Sequence, residues 1–548
     1  MPTLGFVLSG STTQVAYAQL TSYGEAHARE GMLVGIRSSY GTLLARIDRM
    51  RFESPAFRVG DPWGLARREG ADLRSIATAI GMYCVAELSI LGRIGDTGLE
   101  EVYAPPKPGD SVIDLSELSE PEIFGLRRNY GIVWIERLAG YSELKVPLDV
   151  EALTMHLGVF GETGSGKSYT MGYLIEKLSS IPTPKGPRAL PTIVVDANGD
   201  YLDMHEAYSK SGKLGAFSEV LRLVFPTSRF ARKPFTKAIT IDLDELDPRD
   251  LATLVVAYRF GSPEASELQL HAITRLFESA QDKGVGINEL MHAPSYMDKL
   301  VDEVCQELQL HHQTARAMRS ALSKFRHDIA ERFRLVPRES PKDAKGRATL
   351  SREFIEQLTK SPSLAIIDFS PDGAPGVPLI VKQFVIAYLA TLLYDTFTEY
   401  KLRGNERYLL FVIEEAQNYV PNPRTYPIGF SVAREKISLI ATQGRKFGIC
   451  LAIVSQRPAF IDPVVLSMIN SWFIHRVAPE DASYISRICG GLPPSLESKL
   501  PKLPRGTCVF MGQLNPLGTP LLLKIGRRAV SHKMGRTALV DTLAELSS

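Results

Sequence analysis

From about residue 150 onward the apolar positions of the chain come in short unbroken blocks, each closed by a Gly-rich or polar turn and followed by residues at helical spacing. The blocks are HLGVF at 156–160, TIVVD at 192–196, AITIDL at 238–243, SLAIIDF at 363–369, YLLFVIE at 408–414, CLAIVSQ at 450–456 and WFIHRV at 472–477. Strands buried on both faces need such continuous runs, so the pattern predicts an α/β fold with a mostly parallel sheet covered by helices. Residues 1–145 read differently. Short stretches such as FVLSG, MLVGIRS and YGIVWIERL, separated by Gly, Pro and Asp turns, predict a small all-β barrel or sandwich. One helical interruption is expected around Arg67–Gly70 and DLRSIATAIG, and PPKPGD at 105–110 reads as a rigid turn ahead of a strand.

The sheet pattern covers 146–244 and 351–500. Between them, 245–350 is polar and helical in spacing, including ELQLHHQTARAMRSALSKFRHDIAERF at 307–333, and predicts a helical insertion. Residues 501–548 predict a closing hairpin and an extended basic tail. A chain of 548 residues fits two to four such units at roughly 150 residues each.

Composition changes this picture little. With 63 basic and 61 acidic residues the net charge is +2, which neither announces nor excludes a nucleic-acid partner. The five cysteines are too scattered for a metal site and too few for a disulfide scaffold, which fits a reducing compartment. The start MPTLGFVLSGSTTQ lacks the pattern of a signal peptide, and apolar runs such as FVIAYLATLLY at 384–394 fall short of a bilayer span. A cytoplasmic protein without a membrane partner is expected.

The first chemical signal is GETGSGKS at 161–168, a P-loop set between a predicted strand and the helix beginning at Tyr169. Gly161, Gly164 and Gly166 let backbone amides turn inward around phosphates, with Thr163, Ser165 and Tyr169 in the same cradle. Lys167 reaches the outer phosphates and Ser168 supplies an oxygen to Mg²⁺. An ordinary helix cap would need no lysine.

Two adjacent carboxylates, Glu414 and Glu415, end the apolar run of FVIEEAQNYV at 411–420. Open α/β sheets bind ligands at the C-terminal ends of their strands, so Glu414 is assigned to Mg²⁺ and Glu415 to activating or positioning water. Asp196 in VVDANGDY ends another strand, as a further Mg²⁺ ligand or as the head of an Asx turn. Gln456 in SQRP ends a third, where a neutral amide can sense the γ-phosphate or the water. Arg445 in GRKFG is either a local helix-end charge or a cation that crosses to a neighbouring subunit's phosphates. Residues alone thus reach a Mg²⁺-dependent NTPase.

Taken together, VPLDVEALTMHLGVFGETGSGKS at 146–168, IEEAQ at 413–417, GRKFGICLAIVSQRP at 444–458 and the strand-rich start resemble the HerA family of hexameric DNA-translocating ATPases, related to FtsK-type motors. The resemblance implies a RecA-like P-loop domain behind a barrel, with ATP and Mg²⁺ as cofactors. It further implies a homohexameric ring on double-stranded DNA and a NurA-type nuclease as partner in DNA-end processing, as in archaea and some bacteria. Lys167, Ser168, Glu414, Glu415 and Gln456 match the family's machinery, with Arg445 and Arg457 as candidates for the arginine acting between subunits. DANGDY stands where the family usually has DPHGEY, and Gln417 where a histidine often follows the EEA run. The competing readings are a protein-remodelling ring and a nucleotide-regulated DNA clamp with little turnover.

Overall fold

The computed structural model describes residues 3–530, apart from 55–56, 58–59, 61–62, 75–80, 96–97, 142, 232, 262–266, 339–345 and 428–429. The expected basic tail beyond residue 530 and most of DLRSIATAIG lie outside the described residues. The chain divides into two compact units, one of Met1–Val150 with Gly491–Gly526 and the other of Glu151–Gly490 with Arg527–Ser548.

The first unit is built on β1 (Gly5–Val7), β2 (Val15–Leu20), β3 (Leu33–Ser38), β4 (Gly41–Glu53), β5 (Tyr83–Gly95), β6 (Gly98–Glu100) and β7 (Ser111–Ile113). In β2, Ala16, Ala18 and Leu20 point inward while Val15, Tyr17 and Gln19 do not, the alternation that one wet and one buried face demands. The strands pair antiparallel in the order β2-β1-β7-β3-β4-β5, and β2 also pairs with β5, so six strands close into a barrel with β6 attached outside the ring. Register shifts between Leu44 and Ala45 and between Ile47 and Arg49 let the long β4 bend around the ring. Its interior is filled by Leu4, Val7, Val34, Ile36, Ile47, Leu88 and Val112. A hairpin of β8 (Ile132–Ile135) and β9 (Val146–Asp149) follows the barrel. The late hairpin, Thr507–Gly512 with Leu521–Lys524, joins this unit through Arg137, whose N–H and carbonyl both bond Lys524 at 2.7 and 2.9 Å.

In the second unit the strands are β10 (Leu157–Phe160), β11 (Thr192–Asp196), β12 (Val220–Val224), β13 (Thr236–Ile241), β14 (Arg347–Leu350), β15 (Leu364–Asp368), β16 (Leu409–Ile413), β17 (Ile449–Ser455) and β18 (Ser471–Ile474). All pair in parallel, in the order β14-β13-β12-β15-β11-β16-β17-β10-β18. The apolar blocks of the sequence fall on seven of these strands. Two strands carried no such block. β12 has Arg222 at its centre, tolerated because the guanidinium bonds Asp368 of β15 at 2.9 Å through Nε, and β14 is a four-residue edge strand. The segment between β13 and β14 holds the helices Pro248–Phe260, Glu267–Asp282, Ile287–His292, Pro294–Glu307 and His312–Arg326.

One expectation is corrected here. FVIAYLATLLY is part of a 24-residue helix, Leu379–Leu402, long and apolar enough by length and composition to cross a membrane. Its apolar character runs around the whole helix because Val381, Phe384, Val385, Ile386, Tyr388 and Leu389 are all enclosed by protein.

Candidate active site

β10 lies between β17 and β18, and its end at Phe160 feeds the P-loop. Gly161 has φ 155, and a Cβ there would stand 2.6 Å from the Cβ of His475 and 2.7 Å from Ser165 Oγ, so no larger residue fits the exit from the strand. Gly166, at φ 117, turns the chain into the helix Lys167–Leu178. Lys167 is buried, its Nζ donating to the Glu162 carbonyl at 3.2 Å. Burial pulls its ammonium below the usual lysine range, against the opposing charges of Glu414, Glu415 and Asp200.

Glu414 leaves β16 with its N–H on the Val195 carbonyl, and its carboxylate is almost wholly enclosed. Oε1 accepts the Ser168 hydroxyl at 2.9 Å and Oε2 the Tyr201 hydroxyl at 2.6 Å. Burial pushes its pKa up to about 8, reinforced by the charges of Asp200 and Asp196 and opposed by the two hydroxyls. The next residue, Glu415, has a left-handed backbone at φ 49 and ψ 47. That turn lets two adjacent side chains serve one side of the sheet edge, where an extended strand would send them to opposite faces. Glu415 Oε1 accepts from Gln456 Nε2 at 2.8 Å, and Oε2 accepts from Gln417 Nε2. Gln456 Oε1 in turn accepts the Thr163 hydroxyl at 3.1 Å. A continuous line of hydrogen bonds thus runs from the P-loop through the end of β17 to the acidic pair.

The family model described as "Helicase HerA, central domain" matches residues 134–393. The DNA double-strand break repair helicase HerA of Pyrococcus furiosus is 23% identical over 470 residues, covering 80% of this chain and 77% of that protein. The protein of the same name from Sulfurisphaera tokodaii is 24% identical over 540 residues, covering 96% and 93%. The chain is thus similar to the HerA helicases, over residues 134–393 to the family model and over most of its length to these two proteins. Among solved structures, the bacterial conjugative coupling protein TrwBdeltaN70 aligns with 74% of this chain and 91% of its own at 16% identity and a TM-score of 0.49.

Other sequence-selected residues sit apart from the candidate phosphate cradle or are already engaged. Asp196 is fully buried, and its two oxygens accept the N–H groups of Asn198, Gly199, Asp200 and Tyr201 at 2.8–3.3 Å. Burial raises it to about 7. Its carboxylate thereby shapes the loop that delivers Tyr201 to Glu414. The Tyr169 hydroxyl accepts the N–H of Arg528 at 2.9 Å, so the ring serves the chain's last described segment. Arg457 follows β17 at the phosphate edge but is bound by Asp481 at 3.2 Å and packs 4.8 Å from the Phe460 ring. Arg445 lies in the turn Gly444–Phe447 that precedes β17, at the opposite end of the strands from its own P-loop, and among the described residues it makes no ion pair.

Sequence reasoning passed over Tyr201 and Arg476 and gave Gln417 no role. Arg476 Nε lies 3.3 Å from Glu162 Oε2, beside the P-loop, and its signal was available: a cation immediately after a buried strand. Tyr201 gave none, since its role depends on where the Asp196 loop turns.

Proposed function

We propose that this chain is an ATP-driven ring translocase on double-stranded DNA, working in the cytoplasm in DNA-end processing with a partner nuclease of the NurA type. The observation that carries the reading is the joined pair of contacts at one sheet edge, Ser168 with Glu414 and Thr163 through Gln456 with Glu415. A P-loop that only held nucleotide would not need the second of these lines. The DNA substrate is supported by the relatives' names, DNA double-strand break repair helicases.

The residues fit ATP and Mg²⁺. Ser168 Oγ and the Glu414 carboxylate already lie together, and a buried carboxylate raised to about 8 is a group that gains from a cation. Ser168 and Glu414 would hold Mg²⁺, which would offset the charge of the phosphates. Lys167 holds the outer phosphates, Glu415 accepts a proton from the attacking water, and Gln456 ties that water's position to the P-loop. Asp196 acts in this reading as the organiser of the 197–201 loop, in place of a direct metal ligand. The arginine that completes a neighbour's site is Arg445, without an ion pair among the described residues and on the far edge, because Arg457 would first have to leave Asp481.

ATPase turnover by the full chain with duplex DNA, single-stranded DNA and an unfolded protein tests the proposal. Duplex DNA is expected to stimulate most. Stimulation by polypeptide alone would replace the DNA motor with a protein-remodelling ring.

A further inference from the structure

Gln417 departs from the family pattern, and its place in the network gives it a task. It stands in the short turn Ala416–Asn418, two residues after Glu415, and is 8% exposed. Both ends of its amide are used. Nε2 donates to Glu415 Oε2, while Oε1 accepts the hydroxyl of Ser455 at 2.8 Å. Ser455 is the fully buried last residue of β17, so its hydroxyl sits on a rigid element. The Glu415 carboxylate therefore hangs between two amides that are both fixed to the end of β17, Gln456 as the next residue in the chain and Gln417 through Ser455. A left-handed backbone at a residue with a side chain is sparsely populated and persists only where its surroundings hold it. Here a flexible stem starts from such a backbone, so the two amides decide where the carboxylate points.

We propose that Gln417 is a positioning residue that fixes the rotamer of Glu415 and thereby sets the rate of hydrolysis without taking part in nucleotide binding. The proposal rests on the reading of Glu415 as the group that activates water. Gln417 makes no hydrogen bond to the P-loop among the described residues, whereas Gln456 does, so the two amides divide the work: Gln456 couples Glu415 to the nucleotide and Gln417 anchors it. A reacting group displaced by ~1 Å loses on the order of 10²-fold in rate, which sets the scale of the effect.

Three variants of the full chain test it. Gln417→Leu keeps the volume and removes both hydrogen-bonding ends. Gln417→His restores one donor and one acceptor, since a neutral imidazole carries one of each. Ser455→Ala removes the anchor together with a longer 3.4 Å contact to the Arg457 carbonyl, and decides the matter if the leucine variant does not fold. Q417L is expected to lower kcat by roughly 30- to 100-fold with ATP affinity unchanged within about twofold. Q417H should recover most of that loss, and S455A should show a smaller fall in kcat, again without weaker binding. Added to Glu415→Gln, Q417L should reduce the residual turnover no further, because the group it positions is gone. Wild-type kcat in Q417L, or in S455A where Q417L does not fold, overturns the proposal. So does an equal fold-loss in the E415Q background, or a loss of ATP affinity in step with kcat. Full turnover in E415Q alone would instead remove the reading of Glu415 on which the proposal stands, so the two failures are separable.

Discussion

At the C-terminal edge of the parallel strands the cations Arg457, Arg476 and Lys167 each face a carboxylate, whereas at the N-terminal edge several cations have none among the described residues. Arg457 is bound by Asp481, Arg476 lies against Glu162, and Lys167 sits among Glu414, Glu415 and Asp200. On the other edge, Arg407, Arg445 and Lys446 line a hollow of about 200 Å³ together with Thr154, Lys401 and Glu406. Glu406 is the only carboxylate in that lining, and Lys401 already holds it at 2.8 Å. Arg407 stacks over the Tyr400 ring at 5.3 Å, and its Nε is shut off from solvent with no acceptor among the described residues. A cation with a partner inside its own subunit must give up that pair before serving another phosphate, and an unpaired one need not. The edge proposed to bind nucleotide thus has its cations paired, and the edge that faces away from it carries the spare positive charge.

The largest effects should come from breaking the paired edge. Lys167→Ala is expected to lose turnover by about 10³-fold while melting within a few degrees of the parent, because the lysine supplies charge to phosphates and little apolar core. Glu415→Gln should lose a similar factor with ATP binding retained, as the amide keeps the size of the carboxylate and cannot take a proton. Steady-state kinetics beside equilibrium nucleotide titration separate the two.

On the unpaired edge, Arg445→Ala should lower turnover by at least about 10²-fold without weakening ATP binding to the same extent. Mixed with E415Q subunits, with exchange verified, it should regain part of the activity missing from either pure preparation. Arg457→Ala mixed in the same way should gain nothing. Recovery with Arg457 and none with Arg445 would reverse the contrast between the edges. Arg457→Ala alone should cost stability, on the order of 1–3 kcal/mol, since loss of the half-exposed arginine leaves the buried Asp481 carboxylate without its partner.

The smallest effect is the pH dependence of the paired edge. Glu414, held up to about 8 from an ordinary 4.5, binds its proton more tightly in the folded chain than in the unfolded one. The stability it lends is therefore full below about pH 4.5 and is lost as the pH rises through about 8. Thermal melts of the nucleotide-free protein should fall across that window, with Glu414→Gln flattening the trend. Magnesium needs the ionised carboxylate, so Mg²⁺-nucleotide affinity should move the other way, dropping up to about tenfold per unit as the pH is lowered below 8. A titration at pH 6.5 and 8 that shows no difference would mean that Glu414 does not lose its proton on binding.

Much of the site was legible because it depends on neighbours along the chain. The spacing of GETGSGKS is covalent, and an apolar run ending in two carboxylates places them at a strand end whatever surrounds the strand. The parallel sheet was legible for the same reason, since strands buried on both faces must be apolar throughout. β12 escaped because Arg222 interrupts its run, and the compensating Asp368 lies 146 residues away.

What the sequence determined by itself, then, was the class of the second unit and the inventory of its candidate phosphate site, for these follow from local spacing and periodicity. Only the tertiary structure decided the employment of groups with more than one partner within reach. Asp196 has the composition of a metal ligand and spends both oxygens on four backbone amides. Arg445 and Arg457 read alike along the chain, yet a salt bridge at 3.2 Å occupies one and the length of β17 separates the other from its own P-loop. The late hairpin belongs with the first unit through bonds between Arg137 and Lys524, 387 residues apart by subtraction of their numbers. A hydrogen bond or an ion pair is settled by distances of a few ångström, and the chain alone fixes those only between residues close in sequence.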